Sequence, residues 1–301
     1  MAIEIELEVP EHLDGERLDK VVAALLGLSR AEAGRVVGAG ARIDGRPARA
    51  SDRVEGGSVL RCREPGERLK LEAEDVPFDV IHEDDDIVVV DKPAGMVVHP
   101  GAGQRRGTLA AGLLHRYPEL EGVGDEGRWG FIHRLDKNTS GVLVVSRNQR
   151  SFEYLKEQIR SRSMGRAYLA LVEGTMVSPT GTIDAPIARD PAHPTKRAVV
   201  HGGKAARTHY EVVGHYPGSG CSLLSVHLDT GRTHQIRVHL AAIGHPVVGD
   251  WTYGAGRRDL GAPRTFLHAS RVDLTHPTTG EPMSIESPLP TDLTAVLAQL
   301  T

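Results

Sequence analysis

The stretch FIHRLDKNTSGVLVV spans residues 131–145. His133, Arg134, Asp136, Lys137, Asn138, Thr139 and Ser140 crowd into it directly behind two apolar residues, and the run VLVV follows at once as a candidate strand. A polar cluster wedged between apolar segments belongs to the body of a fold rather than to a long loop. It is either a well-paired turn or a site.

Upstream, IHEDDDIVVVDKPAGMVVHPG (81–101) holds two apolar strand runs, at 87–90 and 96–98, around a tight turn marked by Pro93 and Gly95. Downstream, RAYLALVEG (166–174), CSLLSVHLDTGRTHQIRVHLAAIGHPVVGD (221–250) and TFLHASRVDLTHP (265–277) alternate strands with a few helices. The regular strand–helix–strand beat of a doubly wound sheet is missing, so a mixed α+β fold is expected. No internal repeat or low-complexity segment interrupts it.

The chain has 301 residues, 40% of them apolar, enough for one large domain or a large one beside a small one. No apolar run approaches the roughly 18 residues of a membrane span, and the N-terminus MAIEIELEVPEHLDGERLDK lacks the basic start and apolar block of a signal peptide. A cytoplasmic protein is expected. Cys62 and Cys221 are too few and too scattered for a disulfide framework or a cysteine metal site.

The net charge of −4 taken alone argues against a polyanionic partner, but the charges are unevenly placed. Residues 15–63 carry ten Lys/Arg against six Asp/Glu, and residues 64–86 carry two against ten. Residues 147–166 then hold six basic against two acidic, and residues 189–209 five against one. Two basic regions flanking an acidic hinge set the expected organisation: a small N-terminal domain at 1–65 with its core at 15–63, an acidic linker at 66–86, and a large domain at 87–301.

In the small domain, ERLDKVVAALLGL places apolar residues at 18, 21, 22, 25 and 26, one face of a helix. Ser29 and Glu32 form a capping box for a second helix, which Gly38-Ala39-Gly40 ends. ARIDGRPA reads as a short strand with an Asp44-Gly45 turn, and ASDRVEGGSVLRC supplies a final strand. A unit of about 50 residues buries little and exists to present a surface.

Several chemistries are excluded by spacing. Ser140, His133 and Asp136 lie on one short segment without the G-x-S-x-G elbow of a hydrolase. His234 and His239 are five apart rather than the four that align ligands on a helix, so no metal is expected. No Gly-rich phosphate loop occurs, and no nucleotide or other cofactor is called for. What remains is one carboxylate, Asp136, among cations and donors. It suits a nucleophile or general base, kept ionised by a nearby guanidinium that lowers its pKa from about 3.9. His133, Arg134 and Lys137 supply local positive charge. The residue chemistry alone is equally consistent with an aspartate that accepts turn hydrogen bonds through Asn138, Thr139 and Ser140.

RLDKVV, SRAEA, RIDG and ASDRVEGGSVL resemble the S4 domain, an RNA-binding module, with a departure at Gly57-Ser58 where Gly-Asp is commoner. HRLDKNTSG resembles the catalytic motif of the RluA/RluD family of pseudouridine synthases. The likeness continues through DKPAGMVVHPGAG, GTLAAGLLHRYP, RAYLALVEG, GKAARTHYEVV, LDTGRTHQIRVHLAAIGHPVVGDWTYG and LHASRVDLTHPTTGE. Asn138 and Trp251 depart from the family's commoner Asp and Pro. The resemblance implies that Asp136 is the essential aspartate, that Tyr168 is catalytic, stacking on the target base and helping to move the C5 proton, that Arg237 pairs with the aspartate and that Arg134 helps extrude the base. His133, Lys137, Arg232 and His234 complete the implied substrate contacts, and Arg17, Lys20, Arg30 and Arg35 are the S4 contacts. The implied reaction is isomerisation of uridine in large-subunit (23S) ribosomal RNA by a monomer, with transfer RNA and a catalytically silent ribosome-assembly role as alternatives. Such chemistry needs the nucleotide out of its stack, which costs least in loops and bulges.

Overall fold

The computed structural model describes residues 4–28, 30–63, 71–101, 103–125, 128–193, 195–254 and 260–301, with Ala31 described by its backbone alone. The chain forms two compact units, residues 1–69 and 70–301.

The first unit contains β1 (Glu4–Glu8), α1 (Leu18–Leu26), α2 (Arg30–Gly38), β2 (Arg42–Ile43), β3 (Arg46–Pro47) and β4 (Val59–Arg63), its sheet ordered β1-β4-β2-β3. The apolar face of α1 is used as its spacing requires: Leu18, Val21 and Val22 are buried against Leu60 and Cys62 of β4. Asp44 and Gly45 both take positive φ, +48° and +78°, the mirror-image turn that matches the twist of a hairpin. Ser29 of the expected capping box lies outside the described residues. Strand β1 was not expected, because EIELE is mostly charge; only Ile5 and Leu7 face the small core.

The second unit contains, in chain order, β5 (Asp79–Glu83), β6 (Ile87–Lys92), α3 (Leu109–Arg116), β7 (Ser140–Ser146), α4 (Gln149–Ser161), β8 (Gly165–Glu173) and β9 (Thr180–Asp184). There follow β10 (Ile187–Arg189), β11 (Arg197–Val199), β12 (Arg207–Tyr216), β13 (Cys221–Leu228), α5 (Gln235–Ala242), β14 (Leu267–Thr275), β15 (Pro282–Glu286) and α6 (Thr291–Leu297). The main sheet runs β5-β6-β7-β14-β8-β13-β12-β9, with β15 on β14, and its pairs are antiparallel except β7 with β14. The runs IVVV and VLVV are apolar throughout because both faces of the sheet are covered. Val88, Val90, Leu143 and Val145 join one core cluster, and Ile87, Val89, Val142 and Val144 the other.

Two expectations are corrected here. The acidic stretch 66–86 is not a linker throughout, since residues 79–83 pair with β6 as the edge strand β5. Residues 96–98 are not a strand: their carbonyls are committed elsewhere, Val97 and Val98 accepting from Leu109 and Ala110 at the start of α3, and Met96 from the Lys92 ammonium.

Gly141 explains the end of the opening motif. Its φ is +111°, and a β-carbon there would stand 2.1 Å from the Ala269 carbonyl oxygen, where β7 and β14 run side by side. No other residue fits.

Candidate active site

The loop leading into β7 forms one wall of a cavity of about 310 Å³ whose other walls come from β8 and the segment entering α5. Asp136 sits on that loop. Its main-chain carbonyl accepts the turn hydrogen bond from Thr139 N–H, whereas its carboxylate accepts from Arg237, Nη1 to Oδ2 at 3.1 Å. Backbone atoms thus make the turn, and the carboxylate is left to the cavity.

Arg237, in the first turn of α5, divides its guanidinium between two carboxylates. Nε and Nη2 grip Asp250 at 2.7 and 2.9 Å, and Nη1 reaches Asp136. The Asp250 side chain is fully buried, and its Oδ1 also accepts from the N–H groups of Thr252 and Tyr253, so the clamp is fixed from behind. Burial pulls the Arg237 pKa down, but Asp250 and then Asp136 outweigh it and the net direction is up. Its charge is permanent.

His234, the left-handed residue that opens α5, points Nε2 at Asp136 Oδ1 across 3.9 Å, and its Nδ1 pairs with the Tyr253 hydroxyl at 2.8 Å. Burial lowers its pKa despite the neighbouring Asp136, which keeps the ring neutral at pH 7. Tyr168, on β8, is buried with its ring in the cavity wall, and burial raises its pKa. Arg134 and Arg232 line the same cavity from exposed positions, Arg232 anchored by Nε to the Ala205 carbonyl.

His133 also lines the cavity but carries no charge. Its Nε2 accepts from the Val144 N–H, and burial, with the nearby Arg166 charge, pushes its pKa down to about 3. The expected positive charge at this position is therefore absent. Lys137 is corrected as well: its side chain is exposed and outside the cavity wall, and its carbonyl is what matters, accepting from Gly95 N–H and the Lys92 ammonium. In the N-terminal unit, Arg17 and Arg30 both pair with Asp19 and Lys20 pairs with Glu16, while Arg35 is exposed and makes no ion pair among the described residues.

Asp250, Tyr253, Lys92 and Arg166 escape a reading of the sequence. Lys92 is fully buried and donates to the carbonyls of Pro93, Met96 and Lys137, tying the DKPAG turn to the Asp136 loop. Burial pulls its pKa down to about 7, partly opposed by Asp136. Elsewhere, Asp84, Asp86 and His276 gather within 4.8 Å. His276 Nδ1 accepts from the N–H groups of Thr278 and Thr279, which places the ring proton on Nε2 facing Asp84, so the cluster is a hydrogen-bonded lock on the turn.

A family model described as RNA pseudouridylate synthase matches residues 86–242. The chain belongs to that family. This synthase is 43% identical to the ribosomal large subunit pseudouridine synthase D of Nitrosomonas europaea, over 97% of its own length and 87% of the relative's. It is 48% identical to an uncharacterized RNA pseudouridine synthase of Chloroflexus aurantiacus, over 97% and 92% of the two chains. The solved structure of human RNA pseudouridylate synthase domain containing 1 superposes with a TM-score of 0.59 at 30% identity, covering 74% of the synthase and 89% of the human chain. The synthase is accordingly an isomerase acting on RNA, and among its described residues no helix is long and apolar enough to cross a membrane.

The enclosed histidines should make the synthase acid-labile. His99 and His133 are both held to about 3, by burial and then by arginine charges. The unfolded chain takes up protons near pH 6.5 and the folded one only near 3, so stability is full above 6.5 and falls as pH drops toward 3. The loss is up to about 1.4 kcal/mol per pH unit for each histidine. Urea midpoints measured from pH 7 to pH 4.5 should fall along this slope, and His133→Gln, which keeps an acceptor for Val144, should flatten it.

Proposed function

We propose that this protein isomerises specific uridines of large-subunit ribosomal RNA to pseudouridine, acting in the cytoplasm as a monomer, with Asp136 as the catalytic carboxylate. The observation that carries the reading is the Arg237 clamp, which holds one carboxylate inside a cavity while a second, buried carboxylate fixes the clamp. The target uridine is extruded into the cavity. Asp136 drives cleavage of the N1–C1′ bond, the uracil turns, C5 bonds to C1′ and the C5 proton leaves for N1, so atoms balance without cofactor or energy source. Extrusion costs a few kcal/mol, and stacking on Tyr168 returns about 1–3 kcal/mol of it. Ribosomal RNA as substrate is supported by the names of relatives that match over nearly the whole chain.

The purified protein, given unmodified transcripts of large-subunit RNA and of transfer RNA, should form pseudouridine at discrete loop uridines of the first. Modification of transfer RNA alone would overturn the substrate assignment.

Residues 1–69 act in this reading as an S4-type RNA-binding module, through Arg17, Lys20, Arg30 and Arg35. Deleting them should weaken binding to ribosomal RNA and reduce the slope of log K against log salt by about 3–4 if all four touch phosphates, while slow conversion of a minimal stem-loop persists. An unchanged slope would show that the module grips no phosphates.

A further inference from the structure

Among the described residues five arginines line the cavity, and only Arg237 is matched by carboxylates. Arg128, Arg134, Arg166 and Arg232 have no ion-pair partner among the described residues. Three of these four are exposed and keep their hydration. Arg166 is the exception, with 6% of its surface accessible. A buried charge without a counter-ion is among the costliest groups in a fold, and it persists where something else makes use of it.

Arg166 stands on β8 two residues before Tyr168, the ring assigned to the target base. Among the described residues the one hydrogen bond of its guanidinium runs from Nη2 to the Leu228 carbonyl at 3.3 Å, and its Nε is enclosed with no acceptor. Nη1 lies 3.0 Å from where a side chain on Gly231 would begin, so the glycine leaves the guanidinium room. His133 repeats the pattern independently. With Nε2 occupied by the Val144 N–H, the neutral ring carries its proton on Nδ1, and that donor is also enclosed without an acceptor. Both residues line the one electropositive cavity, and a guanidinium there with no carboxylate beside it calls for an anion. Uracil offers carbonyl oxygens but no charge, and would leave the guanidinium uncompensated.

We propose that Arg166 binds a phosphodiester adjoining the flipped uridine, supplying the charge contact that holds the backbone while the base turns beside Asp136. The inference rests on RNA being the substrate, and it deepens that reading by assigning the buried arginine to the strand rather than to the base or to Asp136.

The test is equilibrium binding and single-turnover conversion of a loop-containing ribosomal RNA fragment by the full chain, wild type against Arg166→Met and Arg166→Lys, across a salt series. Arg166→Met should weaken binding at least about tenfold and lower the salt slope by about 1, and Arg166→Lys should keep the slope. Replacing each phosphate flanking the target uridine by a neutral methylphosphonate should weaken binding to the wild type at one position, and make no further difference to Arg166→Met there. Thermal unfolding separates a structural role: losing an unpaired buried charge should leave Arg166→Met melting at or above the wild type. Unchanged affinity and slope in Arg166→Met, a lowered melting temperature that accounts for its loss, or equal methylphosphonate penalties in both proteins would each overturn the proposal. If the wild type itself neither binds nor converts the RNA, it is the functional reading that fails.

Discussion

Asp136→Asn should bind ribosomal RNA within about threefold of the wild type and form no pseudouridine, a loss of at least about 10⁴-fold in single-turnover rate. Binding should survive if it rests on many spread phosphate contacts, and the substitution removes a negative charge from a cavity lined by arginines. Catalysis does not survive because Asp136 is the only carboxylate in the cavity wall among the described residues; Asp250 lies behind Arg237 with its side chain fully buried. The amide preserves shape and can still accept from Arg237 Nη1, so the variant should fold. Residual turnover in a clean preparation would remove Asp136 from the mechanism.

Arg237→Met should have the second largest effect, through two carboxylates at once. Without the guanidinium, Asp136 and Asp250 face each other's field with no cation between them, and Asp250 remains buried. Leaving one partner of a buried ion pair costs about 3–5 kcal/mol of stability, so the variant should melt earlier. The folded fraction should convert RNA about 10²–10³-fold more slowly near neutrality, and any residual rate should rise toward alkaline pH as protons are drawn off the uncompensated carboxylates. Arg237→Lys keeps a charge but has one ammonium where the fork served two carboxylates, so it should retain part of the activity. Single-turnover rates from pH 5 to 9 distinguish these outcomes. A methionine variant with the wild-type rate and profile would show that Arg237 is not the partner on which Asp136 depends.

The central strands were legible because each position of IVVV and VLVV is buried, leaving no polar residue to confuse the pattern. Strands β1 and β5 were not: EIELE and DVIHE are short, edge-placed and charged on the solvent side, and their apolar alternation is only two or three residues long. In the site, Asp136, Tyr168, Arg237, Arg134, Arg232 and His234, drawn from separate motifs, all line one cavity. Asp250 and Arg166 remained hidden for a physical reason. What marks them is burial and partnership across the fold, and the contacts that assemble the cavity, such as Arg237 with Asp136, join residues 101 positions apart. Charge alone misleads in the same way: His133 looks cationic in the sequence, yet enclosure holds it neutral.

The most direct measurement is a map of pseudouridine in large-subunit ribosomal RNA from cells lacking the gene, complemented with the wild-type chain or with Asp136→Asn. Discrete uridines in loops should be pseudouridine with the wild type and remain uridine both in the deletion and with the asparagine variant. A large-subunit map identical in all three strains, or restored by Asp136→Asn, would contradict the assignment.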